Sequence, residues 1–151
     1  MKSLLENKKL KDNLKSSNAF FAHFNLENCE EDQVIEALVK RFEAPDECRV
    51  FEKGKFEILT VGGMTIGRAT YQPGWQWSKH VAPLSGNPLC TVEHVGMVIS
   101  GHAVAAMEDG TQLELKPGSL FYIPPVAHDS WVVGEETYVS LHFLGANHYT
   151  R

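Results

Sequence analysis

Residues 101–125 read GHAVAAMEDGTQLELKPGSLFYIPP. Short apolar runs alternate here with turn signals. Ala103–Glu108 meets Asp109-Gly110, a hairpin signal, because a tight β-turn needs residues that tolerate positive φ. Leu113–Leu115 meets Lys116-Pro117-Gly118, and Leu120–Ile123 stops at Pro124-Pro125. Proline ends the last two runs because it has no N–H to give a ladder. Runs of three to six residues are too short for helices, so this texture predicts strands.

The same texture extends outward from this stretch. Residues 56–61 precede Gly62-Gly63, residues 64–72 precede Pro73-Gly74, residues 95–100 end at Gly101, and residues 138–144 close the set. Strands at this spacing indicate an all-β sandwich or small barrel. The first 45 residues differ. Asn28 and Glu31 have capping-box spacing, and Val34, Ile35, Leu38, Val39 and Phe42 recur at helical spacing up to Ala44-Pro45. An amphipathic helix is expected over 29–43, within an extension 1–45 that precedes a β domain 46–151.

Composition bounds the function. The chain has 151 residues, enough for one domain with a proper core. Its net charge of −5 speaks against nucleic acid as a partner, since phosphate binding needs a basic surface. No apolar run approaches the length of a membrane span, and no secretion signal is evident. Cys29, Cys48 and Cys90 are three in number and irregularly spaced, which is no disulfide framework. A reducing cytoplasm is the expected home.

Histidines supply the candidate chemistry. His80, His94 and His128 lie at strand boundaries, and Cys90 shares a face with His94 if residues 90–100 are extended. Trp75 and Trp77, two apart on an expected strand leading to His80, share a face as well. With Trp131 they are candidates for an aromatic pocket wall. His142 alternates with Ser140 and Tyr138, so it reaches the pocket if that face is internal. Asp129, beside His128, is placed to orient an imidazole. Each has a plainer alternative: core packing for the tryptophans and Cys90, a turn cap for Asp129.

These residues resemble the cupin family. Gly118-Ser-Leu-Phe-Tyr-Ile-Pro124 matches the opening of the second cupin motif, with His128 one residue short of that motif's histidine and Val126 in place of its glycine. Gly101 matches the last glycine of the first motif. Counting back from it, His94 stands where the family usually has Glu, Cys90 where it has the second histidine, and Pro88 where it has the first. Residues 73–81, 90–101 and 123–136 are similar to a group of small single-domain cupins, and the resemblance covers residues 50–146.

That resemblance implies a double-stranded β-helix, or jelly-roll barrel, with a divalent transition metal inside. His80, His94 and His128 are the expected ligands, and Cys90 a possible fourth. Loss of the family's Glu tilts the metal towards zinc, iron or nickel. Three imidazoles leave an open position, whereas a fourth ligand from Cys90 would close a structural zinc site. The family includes dioxygenases, isomerases, lyases, decarboxylases and proteins that only bind ligands. Dioxygenase-like chemistry on a small organic molecule is the leading expectation, and a non-catalytic binding or metal-sensing module the competitor. No general base stands out beyond the ligands, which keeps that competitor open.

A homodimer is also expected, because cupins commonly pair through sheet edges and an uncovered edge is a liability. Light scattering should give twice the mass of one chain; a monomer mass contradicts the expectation.

Overall fold

The structure, a computed structural model, describes residues 37–148. Nine strands run in chain order: β1 Glu47–Phe51, β2 Gly54–Val61, β3 Met64–Tyr71, β4 His94–Ser100, β5 Ala103–Met107, β6 Gln112–Leu115, β7 Leu120–Ile123, β8 His128–Val132 and β9 Tyr138–Leu144. Two helical turns, Trp77–His80 and Ala82–Ser85, fall between β3 and β4. Every strand pairing is antiparallel. Six strands form one sheet in the order β1-β2-β3-β9-β4-β7, and three form another in the order β6-β5-β8.

Alternation along each strand decides which face is internal. On the large sheet Phe56 and Ile58, Ala69 and Tyr71, His94 and Val98, Phe121 and Ile123, and Ser140 and His142 are buried. Ala103, Ala105, Leu115, His128 and Val132 of the small sheet are buried too. The core is therefore mostly apolar, with His94, His128, Ser140 and His142 among its buried polar residues.

Two proline turns carry the chain between the sheets. Lys116-Pro117-Gly118 links β6 to β7, and Pro124-Pro125 links β7 back to β8. Among the described residues no ladder joins the sheets into a closed barrel, and the architecture is an antiparallel β-sandwich. Prolines at both crossings remove donors that would continue a ladder there. At Gly101, φ is +71° and an added Cβ would lie 2.5 Å from the Thr137 carbonyl oxygen. Turn conformation and close backbone approach both explain the glycine there.

Two expectations are corrected. Residues 29–36 of the expected helix lie outside the described residues, but residues 37–43 are not helical. Their apolar face has no surface to cover: Val39 is 92% exposed and Leu38 is exposed as well. Phe42 instead lies under the Arg68 guanidinium, 4.7 Å from its ring centroid, and its carbonyl accepts from Arg68 at 3.3 Å. Asp46 is drawn to β2, its N–H donating to the Ile58 carbonyl at 2.9 Å. Pro45 further disfavours a helical Ala44.

The expected strand through Trp75 and Trp77 is a turn followed by the helical turn Trp77–His80. Asp129 of β8 accepts from the Ser78 N–H at 3.0 Å, from the Ser78 hydroxyl at 2.7 Å and from the Gln76 amide at 2.6 Å. One carboxylate thus takes donors at the start of a helix, where backbone N–H groups lack partners. Both indoles remain buried despite the change of element.

Candidate metal centre

The segment between Gly86 and β4 is irregular, yet Cys90 is fixed by a two-way backbone bridge to His128. The Cys90 N–H donates to the His128 carbonyl at 3.0 Å, and the His128 N–H to the Cys90 carbonyl at 2.9 Å. This bridge fastens the loop to the small sheet. His94 opens β4 on the large sheet, opposite Ile123 of β7. The thiol and the two imidazoles meet between the sheets, with Cys90 Sγ 3.4 Å from His94 Nε2. One donor atom from each of Cys90, His94 and His128 falls within 4.8 Å of the other two, and all three residues are buried.

The His128 ring has its Nδ1 2.7 Å from the Val126 carbonyl oxygen. A carbonyl can only accept, so Nδ1 carries the proton and Nε2 keeps its lone pair. This is how a ligating imidazole is usually oriented. The Val126 carbonyl does this, while Asp129 instead holds the Gln76–Ser78 turn against β8.

His80 is not part of the convergent group. It ends the helical turn, half-buried, with Nδ1 2.9 Å from the Gln76 backbone nitrogen and oxygen. His142 lies closer: its ring centroid is 5.4 Å from that of His94, and its Nε2 is 3.0 Å from Ser140 Oγ. In register, His142 sits between Gly67 of β3 and Gly96 of β4. The rings of Phe56 and Phe121 fill the space above those glycines, 2.3 Å and 2.5 Å from where a Cβ would stand, and both meet the edge of His142. Glycine inside a strand marks such a close approach.

A cavity of about 40 Å³ opens at the cluster. Cys90, His94, His128 and His142 line it with Trp75 and Trp77, whereas Trp131 does not. Tyr71 stacks on Trp75 at 3.7 Å between centroids and fixes that wall. Nothing in the sequence marked Tyr71 or Phe121 as cavity residues, because an aromatic in a strand reads equally well as core.

The electrostatics suit neutral donors. Burial first, then the neighbouring His142 and His128, hold His94 well below the ordinary histidine range. Burial also lowers His128, against the opposing pull of the Val126 carbonyl and Asp129, and lowers His142 to about 4. Burial pushes the Cys90 thiol up to about 11. Two neutral imidazoles with converging lone pairs and one soft sulfur form a donor set that fits a divalent transition metal.

The chain shares this fold with a protein of unknown function from Rhizobium leguminosarum bv. viciae 3841. Identity is 17%, the TM-score 0.50, and the match covers 72% of this chain and 95% of that one. It is comparably similar to the polyketide cyclase RemF from Streptomyces resistomycificus, at 16% identity and a TM-score of 0.50, over 72% and 78% of the two chains. No family model and no curated protein matches the chain.

The shifted histidines predict a pH dependence for metal-free protein. Unfolded imidazoles take up protons near the ordinary value of 6.5, whereas His142 in the fold does so only at about 4. The unfolded state therefore binds more protons between those values. Stability is complete above about 6.5 and falls as pH drops towards 4, on the order of 3 kcal/mol for His142 alone. Urea unfolding of metal-free protein across that range should show the loss, and His142→Asn should reduce it, with His94 and His128 supplying the remainder. An unchanged slope in the variant contradicts the assignment.

Proposed function

We propose that this protein is a metal-binding cupin with a jelly-roll barrel, in which Cys90, His94 and His128 hold one divalent transition metal. The observation that carries this reading is the convergence of three buried donors, from two sheets and a loop, on one cavity. Within that reading the protein is a metal-dependent enzyme acting on a small organic molecule. A bound divalent metal supplies Lewis acidity at the positions that three protein donors leave open. Val126 fixes the His128 tautomer, and the walls beside the donors are mostly apolar.

Thiolate with imidazole suits zinc, iron or nickel, and among the described residues no carboxylate lines the cavity to favour a harder ion. Dioxygenase-like chemistry goes with iron. One alternative is a small-molecule-binding or metal-sensing module without turnover: among the described residues the lining contains no Asp, Glu or Lys, and His142 is its one imidazole outside the proposed ligand set. A homodimer in the cytoplasm, without nucleic-acid or membrane partners, belongs to the same proposal. Among the described residues no helix is long and apolar enough to cross a membrane.

Elemental analysis of protein purified without a His tag should give close to one transition metal per chain. Loss of a partner one layer out costs a metal site about 10–100-fold in affinity. Cys90→Ser, His94→Ala and His128→Ala should each cost at least that much, while His80→Ala leaves metal content unchanged. Metal retained when His94 and His128 are both replaced contradicts the site. An equal loss in His80→Ala contradicts the choice of ligands.

A further inference from the structure

A second hollow has a lining of its own. It is a groove of about 520 Å³ between the β5–β6 turn and the Pro124-Pro125 turn. Half-buried Met107, Leu113 and Pro124 line it together with exposed Glu108, Asp109 and Tyr122. Backbone bonds hold its walls. The Met107 N–H donates to the Thr111 carbonyl at 2.9 Å and closes the turn, and the Glu108 N–H donates to the Ala127 carbonyl at 3.3 Å and ties that turn to the start of β8.

Its charge is one-sided. Glu108 and Asp109 are negative, and among the described residues no Lys, Arg or His lines the groove. The Glu108 carboxylate has no hydrogen bond or ion pair among the described residues. The Thr111 N–H, bonded to Asp109 Oδ1 at 2.8 Å, holds that carboxyl below its ordinary range, so it is charged at neutral pH. A third carboxylate, Glu93, accepts from the Tyr122 hydroxyl at 2.9 Å. A hollow lined by one sign of charge concentrates ions of the other.

Size and lining choose the occupant. Hollows of about 300–1,000 Å³ with mostly apolar walls and a few placed polar groups take small organic molecules. The apolar residues match a hydrocarbon body, and the two carboxylates match a positive head. We infer that this groove binds a small organic amine in its ammonium form, with Met107, Leu113 and Pro124 against its hydrocarbon part and Glu108 and Asp109 against its charge. None of Cys90, His94 and His128 lines the groove, so the inference goes beyond the metal reading and does not depend on it.

The test titrates full-length protein, ¹³C-labelled at its methionine methyls, with hexylamine, 1-hexanol and sodium hexanoate. Met107 lines the groove, whereas Met64 and Met97 do not and serve as references. Met107→Leu assigns the Met107 resonance. Hexylamine should move that resonance alone, and saturably. Hexanol should bind about fivefold or more weakly, and hexanoate should move nothing. Affinity should rise about threefold per methylene from butylamine to hexylamine. Glu108→Gln combined with Asp109→Asn, which keeps an acceptor for the Thr111 N–H, should weaken hexylamine about fivefold or more and leave hexanol unchanged.

Hexanol or hexanoate binding as tightly as hexylamine overturns the cationic class. Equal movement of Met64 and Met97, or a Met107 resonance that stays fixed up to about 10 mM amine, overturns the site. A Met107 resonance that moves on dilution without amine assigns the groove to a second copy of the chain and overturns the inference too. The comparison of the three ligands is read on the wild-type chain, so it decides the matter even if the double variant does not fold.

Discussion

Everything at the centre depends on the backbone bridge between Cys90 and His128, with its two hydrogen bonds of 3.0 and 2.9 Å. Residues 81–93 contain no strand, so without this bridge nothing in the sheet ladders would place the thiol. With it, a loop residue acquires the positional accuracy of a strand residue. His128 brings the register of β8, and His94 brings that of β4 through its pairing with Ile123. The cluster consequently joins the two sheets at a place where strand pairing does not. A metal there would cross-link the sandwich as well as serve chemistry, because binding to the folded state alone adds to stability.

The surroundings make that centre small and mostly apolar. His142 fits between the large-sheet strands because Gly67 and Gly96 flank it without side chains, and Phe56 and Phe121 close over the gap. On the other side Asp129 spends its carboxylate on the Gln76–Ser78 turn, which seats Trp75 and Trp77 in the cavity wall. The polar groups near the centre are thus divided by task. Asp129 and Val126 position, whereas Cys90, His94 and His128 converge. Burial keeps the imidazoles neutral, which is the form that offers a lone pair.

Much of the sandwich was legible because strand alternation is local: the runs at 56–61, 64–72, 95–100, 103–108, 113–115, 120–123 and 138–144 correspond to seven of the nine strands. β1 carries Glu47 and Arg49 in an edge strand, and β8 begins at the polar pair His128-Asp129, so neither shows a clean apolar run. Cys90 and His94 do meet, but not along the single extended strand that their spacing assumed, since β4 begins only at His94. The Cys90–His128 bridge was not legible, since it joins residues 38 apart through a loop with no period. The place of His80 was not legible because a turn-rich segment hides its direction: here Trp77–His80 coils into a helical turn. The apolar spacing at 34–42 suggested a helix, but at residues 37–43 the Arg68–Phe42 contact and Pro45 prevail over local periodicity.

The most direct measurement is X-ray absorption at the edge of the metal that the purified protein carries. Cys90, His94 and His128 as ligands predict one sulfur at about 2.3 Å and two imidazole nitrogens at about 2.0–2.1 Å, with any remaining neighbours light atoms. Cys90→Ser should remove the sulfur scattering alone. A first shell of nitrogen and oxygen without sulfur, in protein whose Cys90 is intact and reduced, would contradict the account.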